Sequence, residues 1–136
     1  MNQALRSFLM YAAVALVGLP VCALLAQYLT LLLAGFKPRF RAAFLSVSVA
    51  YGVSLSAGLI IRAAGGMKTK STAESVGLLA GLAILSACHA NFIRSDSGLK
   101  LSPGKAIAVA VAQVIGGLLL LAAIVKSIVV IKGITG

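Results

Sequence analysis

Four charge-free stretches constrain this chain more than any other feature. Residues 7–36, 42–61, 75–93 and 106–125 each run without an Asp, Glu, Lys or Arg. A hydrocarbon core about 30 Å thick takes about 20 helical residues to cross, and apolar blocks of 18 or more residues mark such crossings. Inside lipid the backbone finds no water to bond to, so each block must satisfy its own amides as an α-helix. A transmembrane barrel would show shorter segments of about ten residues that alternate apolar and polar. The expected fold is all-α, a polytopic transmembrane bundle of four helices at about 7–36, 42–62, 74–94 and 103–131. These form two helical hairpins within a single membrane domain, 1–136.

Composition agrees. The chain is 61% hydrophobic and 10% charged, with mean hydropathy +1.11, whereas soluble domains are about 45–50% apolar and about 25% charged. That excludes a soluble globular enzyme and a disordered tail. Twelve Lys and Arg face two acids, Glu74 and Asp96. On a soluble chain this excess would point to nucleic acid, but no arginine-rich stripe with interleaved aromatics is present. No nucleic-acid partner is expected. The cations flank the apolar blocks, where they anchor helix ends and attract anionic headgroups. Lys37, Arg39, Arg41, Arg62, Lys68, Lys70, Arg94, Lys100 and Lys105 are the expected contacts to anionic membrane lipids or to acidic surfaces of partner subunits. Four spans divide the twelve cations six to six between the two sides, so the positive-inside rule assigns no orientation.

The connections carry the polar signals. The first block reads as a retained span, since it is too long for the apolar region of a signal peptide, and Leu19-Pro20-Val21-Cys22 is a poor lipoprotein box. Pro20, well inside it, removes one backbone hydrogen bond and predicts a bend over Leu16–Pro20. Lys37-Pro38-Arg39-Phe40-Arg41 is a tight basic turn. Gly65-Gly66 would end the second helix, Ser71 or Thr72 would cap the third with Glu74 in its first turn, and Ser95-Asp96-Ser97-Gly98 breaks the chain after it. Ser102-Pro103 reads as the N-cap and first residue of the fourth helix. The stretches Cys22–Arg39 and Cys88–Lys105 match in length and layout, a weak parallel repeat of hairpins.

Small residues recur at four-residue spacing in every helix: Gly18, Cys22 and Ala26; Ser48, Gly52 and Ser56; Gly77 and Gly81; Ala108, Ala112 and Gly116. Apolar burial does not drive association in lipid, and stripes of this kind let backbones approach closely instead. They are the expected helix-packing interface, within one bundle, between copies, or towards other membrane subunits. Cys22 and Cys88 read as small apolar packers, because no CxxC spacing or metal set accompanies them.

The lone histidine, His89, with Asn91, Gln27 and Gln113, makes a possible polar site. A packed histidine bonded between helices is the first reading. A bis-histidine haem needs a second histidine, and a proton relay wants an acid in the membrane, so no cofactor or metal is expected. There is no HExxH, GxSxG, P-loop or dinucleotide fingerprint, and no catalytic residue is assigned. The expected function is a non-enzymatic integral membrane subunit that oligomerises or docks in a larger membrane complex, in a membrane of the bacterial inner type. A small oligomeric pore or channel, a transporter component and a secretion or conjugation subunit are the alternatives.

Overall fold

The computed structural model describes residues 3–63 and 70–135, and these hold four α-helices. They are α1 (Gln3–Ala34), α2 (Phe40–Ala63), α3 (Lys70–Phe92) and α4 (Pro103–Thr135). All four contain stretches long and apolar enough to span a membrane: Phe8–Ala34, Phe40–Ile61, Ser75–Phe92 and Pro103–Ile131. The chain is thus a multi-pass integral membrane protein in outline. Each helix packs on its chain neighbours and α1 packs on α4, which closes the ring. No close backbone approach joins the diagonal pairs among the described residues. Short connections make neighbours antiparallel, so α1 and α3 share one diagonal of the ring.

Helix ends differ from the expected ones for local reasons. The first helix stops at Ala34 rather than residue 36 because Gly35 turns into the left-handed region at φ 80°. Its N–H donates to the carbonyl of Leu31, a one-glycine helix stop. The third helix is described from Lys70, and Ser71 and Thr72 fall within its described span. It ends at Phe92, not residue 94, because Ile93 pairs with Leu101 in a short antiparallel ribbon. Gly98 (φ 81°) closes the turn of that ribbon, its N–H donating to Ser95. Ser102 caps α4 as expected, its Oγ accepting from the Lys105 amide at 3.4 Å. The helix then runs four residues beyond the expected 131. Helix α1 continues through Pro20. Gly65 and Gly66 lie outside the described residues.

The connections 35–39 and 93–102 share one end of the bundle, called here the closed end. Ile93, Leu101, Ala106 and Val109 pack there with Leu29, Ala34 and Phe36. Deeper in, Ala23, Ala26, Ala43 and Val47 form a core of small side chains under Leu19, Cys22 and Phe44. Among the described residues, burial stops with this half: none before Ala23 in α1, after Ala50 in α2, before Ser86 in α3 or after Gln113 in α4 is buried. Arg39 and Asp96 tie the two closed-end connections with a 2.9 Å ion pair, both side chains well exposed to solvent. Exposed pairs contribute little, so Arg39→Gln is expected to change unfolding free energy by less than about 1 kcal/mol in a detergent titration.

Candidate functional site

The inward faces of the four helices bring one polar side chain each, or a backbone carbonyl, to a single layer. Ala43, Ser46, Val47 and Ala50 are the buried positions of α2, a spacing that keeps them on one helical face. Ser46 is the polar member, with no exposed surface. Its Oγ lies 2.7 Å from His89 Nδ1 on α3, and His89 Nε2 lies 2.8 Å from Gln113 Oε1 on α4. Gln113 Nε2 donates to the Cys22 carbonyl on α1 at 3.3 Å. All four helices therefore meet at one chain of hydrogen bonds.

Donor arithmetic fixes the direction of that chain. The Gln113 amide nitrogen faces a carbonyl, which can only accept, so its oxygen faces the ring and accepts from His89 Nε2–H. In the neutral ring Nδ1 then carries the lone pair and accepts the Ser46 hydroxyl proton. His89 is thus an Nε2–H imidazole with both nitrogens occupied, and neither lone pair nor proton is left over for a ligand. Among the described residues no set of three His, Cys, Asp or Glu side chains could hold a metal ion. The layer is suited to fastening helices together. Removing any one of its members would strand another polar atom in hydrocarbon.

Gln27 and Asn91 do not join the layer. Gln27 is buried, but its Nε2 donates to the Pro38 carbonyl at 2.7 Å and pins the first connection to α1. Asn91 is exposed and bonds to the Ala87 carbonyl of its own helix. Ser46 was not among the expected site residues, although its place on the apolar face of α2 was the available signal. Ser56, by contrast, bonds back to Gly52 on its own helix, and Ser48 Oγ is enclosed without a hydrogen-bond partner.

The small-residue positions divide by face. Ala26 is fully buried, and Gly18, Cys22, Gly81, Ala112 and Gly116 are half-buried. Gly116 of α4 packs tightly on α1: a Cβ there would meet Leu25 Cδ2 at 3.3 Å. Gly52, Ser56, Gly77 and Ala108 are exposed, and a Cβ on Gly52 or Gly77 would meet nothing within 4 Å. Lys37, Arg39, Arg41, Arg94, Lys100 and Lys105 are all exposed at the closed end, beside the acid Asp96. Lys68 lies outside the described residues, as do the side chains of Arg62 and Lys70. No known protein family, curated protein or solved structure gives a significant match to the chain.

Proposed function

We propose that the chain is a non-enzymatic membrane subunit, a four-helix block fastened at one end, which joins copies of itself or other membrane subunits through its outward small-residue faces. The observation that carries this reading is the position of Gly52. It follows Ala43 by nine residues, which is about two and a half helical turns and so the opposite side of α2 from the core. Ser48 and Ser56 flank it at four-residue spacing, and Gly77 is open on the neighbouring helix α3. Internal packing leaves these glycines uncovered, and close backbone approach is what glycine contributes between helices in lipid. The exposed cations of the closed end would hold such an assembly against anionic headgroups, as in a bacterial inner membrane.

A conducting path is a weaker reading for one bundle, since Ala23, Ala26, Ala43, Val109 and His89 fill its axis near the closed end. A pore would have to lie between copies. Subunit counting by photobleaching in lipid vesicles tests the assembly reading. Gly52→Leu with Gly77→Leu should lower the associated fraction about fivefold or more by blocking close approach, while the helical circular dichroism stays unchanged. A wild-type chain that is monomeric in lipid, and brings down no membrane partner from its native membrane, overturns it.

A further inference from the structure

Two cations are forced together at the closed end. Residues 93–95 and 99–101 run antiparallel, Leu101 N–H donating to the Ile93 carbonyl and Ser95 N–H to the Leu99 carbonyl. Arg94 therefore stands directly opposite Lys100, between those two bonds and not joined by them. Opposed residues of that type have Cα atoms about 4.5 Å apart, the closest spacing an antiparallel pair offers. Side chains alternate across such a ribbon. Ile93 and Leu101 point into the bundle core, 0% and 3% exposed. Arg94 and Lys100 thus both point away from it, and both are exposed.

Like charges placed opposite one another cost stability, and this pair has no internal relief. Asp96 is the acid of the connection, and Arg39 holds it at 2.9 Å. Among the described residues no carboxylate pairs with Arg94 or Lys100. The turn that brings them together is firmly built: Gly98 N–H donates to the Ser95 carbonyl and Leu99 N–H to Ser95 Oγ. Little ordering is left for a ligand to impose. An arginine fork and a lysine point charge on one face match the oxygens of a phosphate.

Depth selects the source of that phosphate. The α3 span ends at Phe92 and the α4 span begins at Pro103, so the pair stands just outside the hydrocarbon, where headgroups lie. Phe92 and Leu99 are exposed apolar neighbours of the pair in the chain, which suits a ligand that carries a tail. We propose that Arg94 and Lys100 clamp the phosphate of one anionic phospholipid in the leaflet at the closed end. This sharpens the headgroup contact proposed above and rests on it. It does not rest on assembly, because the clamp lies within one chain.

Native mass spectrometry from a neutral detergent counts the lipids that the chain retains. With equal tails, phosphatidylglycerol should give a saturable first adduct and phosphatidylcholine a weaker one. Arg94→Gln with Lys100→Gln should weaken the phosphatidylglycerol adduct about 25-fold, about fivefold for each cation near a charged surface. Lys37→Gln with Arg41→Gln removes the same charge from the same end. It should weaken the adduct about fivefold or less, because exposed charges that do not touch the phosphate are screened by salt. Lys100→Glu places opposite charges across the ribbon. It should lose the adduct yet melt at a higher temperature in lipid-free detergent, which shows a folded chain. Glycerol 3-phosphate, the same headgroup chemistry without tails, should not compete at equal concentration. Equal losses from the two double variants overturn the clamp and leave only diffuse attraction to headgroups. Competition by glycerol 3-phosphate as strong as that by the lipid overturns the lipid as its ligand. A wild-type chain with no preference for phosphatidylglycerol overturns the headgroup contact itself, and the clamp with it.

Discussion

Replacing His89 with alanine is expected to lower the unfolding free energy by about 2–4 kcal/mol, since buried polar groups left without partners cost about 1–3 kcal/mol each. The ring is completely buried and bonded at both nitrogens. Its loss leaves Gln113 Oε1 without a donor and opens a void between four helices. Ser46 suffers less, because a serine on a helix can turn its hydroxyl to the carbonyl four residues earlier, as Ser56 and Ser86 already do. Ser46→Ala should still be the milder change: it strands one atom, His89 Nδ1, and leaves a far smaller void than loss of the ring. A double-mutant cycle on Ser46 and His89 should return a coupling of about 0.6–1.7 kcal/mol, the range found for hydrogen bonds between membrane helices. Unfolding in mixed micelles or by steric trapping measures both quantities. A ¹⁵N spectrum of the imidazole provides a separate check: the proton should reside on Nε2. An Nδ1–H ring would reverse the order of donors derived for the layer, and a His89→Ala cost under about 0.5 kcal/mol, within the usual range for surface substitutions, would deny that the layer fastens the bundle.

The spans were legible in the sequence because their signal is uniform: charge-free blocks of sufficient length leave the backbone one solution in lipid. The cap at Ser102-Pro103 was legible too, since it depends on two adjacent residues. Other features were hidden by that same uniformity. Helices wet by hydrocarbon on the outside are apolar all round, so the pattern that would separate an inward face from an outward one is nearly erased. Gly52 and Ala26 thus looked alike in the sequence, although one is exposed and the other fully buried. Polar residues were the better guide to facing. His89 and Gln113 stood out as expensive in lipid, but Asn91 stood out equally and proved to bond to its own helix. The ribbon at 93–101 and the ion pair of Arg39 with Asp96 depend on which connections share an end. That is a property of the ring, not of any local segment. The half in which no described residue is buried had no sequence signal at all, because an apolar helix reads the same whether it faces a partner, a lipid or a void.

Leucine at Ala43 and leucine at Gly58 should have opposite consequences, although both lie in the same helix. Ala43 is fully buried beside Ala23, Ala26 and Val47 at the closed end. Overfilling a well-packed interior usually costs about 1–3 kcal/mol, as neighbours leave their rotamers or the backbone shifts. Here the buried members of the cluster on α1, Ala23 and Ala26, are alanines, which have no rotamers with which to give way, so much of the strain falls on the separation of α1 and α2. In lipid that separation matters more than in water, because dispersion between closely fitted helices replaces the hydrophobic drive. A cost at or above the upper figure is expected for Ala43→Leu, together with weakening of the adjacent hydrogen-bonded layer. Gly58 meets open space, so an added side chain displaces only lipid, and replacing glycine within a helix is favourable by about 0.5–1 kcal/mol in soluble hosts. Gly58→Leu should therefore be neutral or mildly stabilising. Comparing the two variants by unfolding in the same micelles separates a bundle that is tight at one end and loose at the other from one packed evenly throughout. An even bundle would penalise both leucines alike.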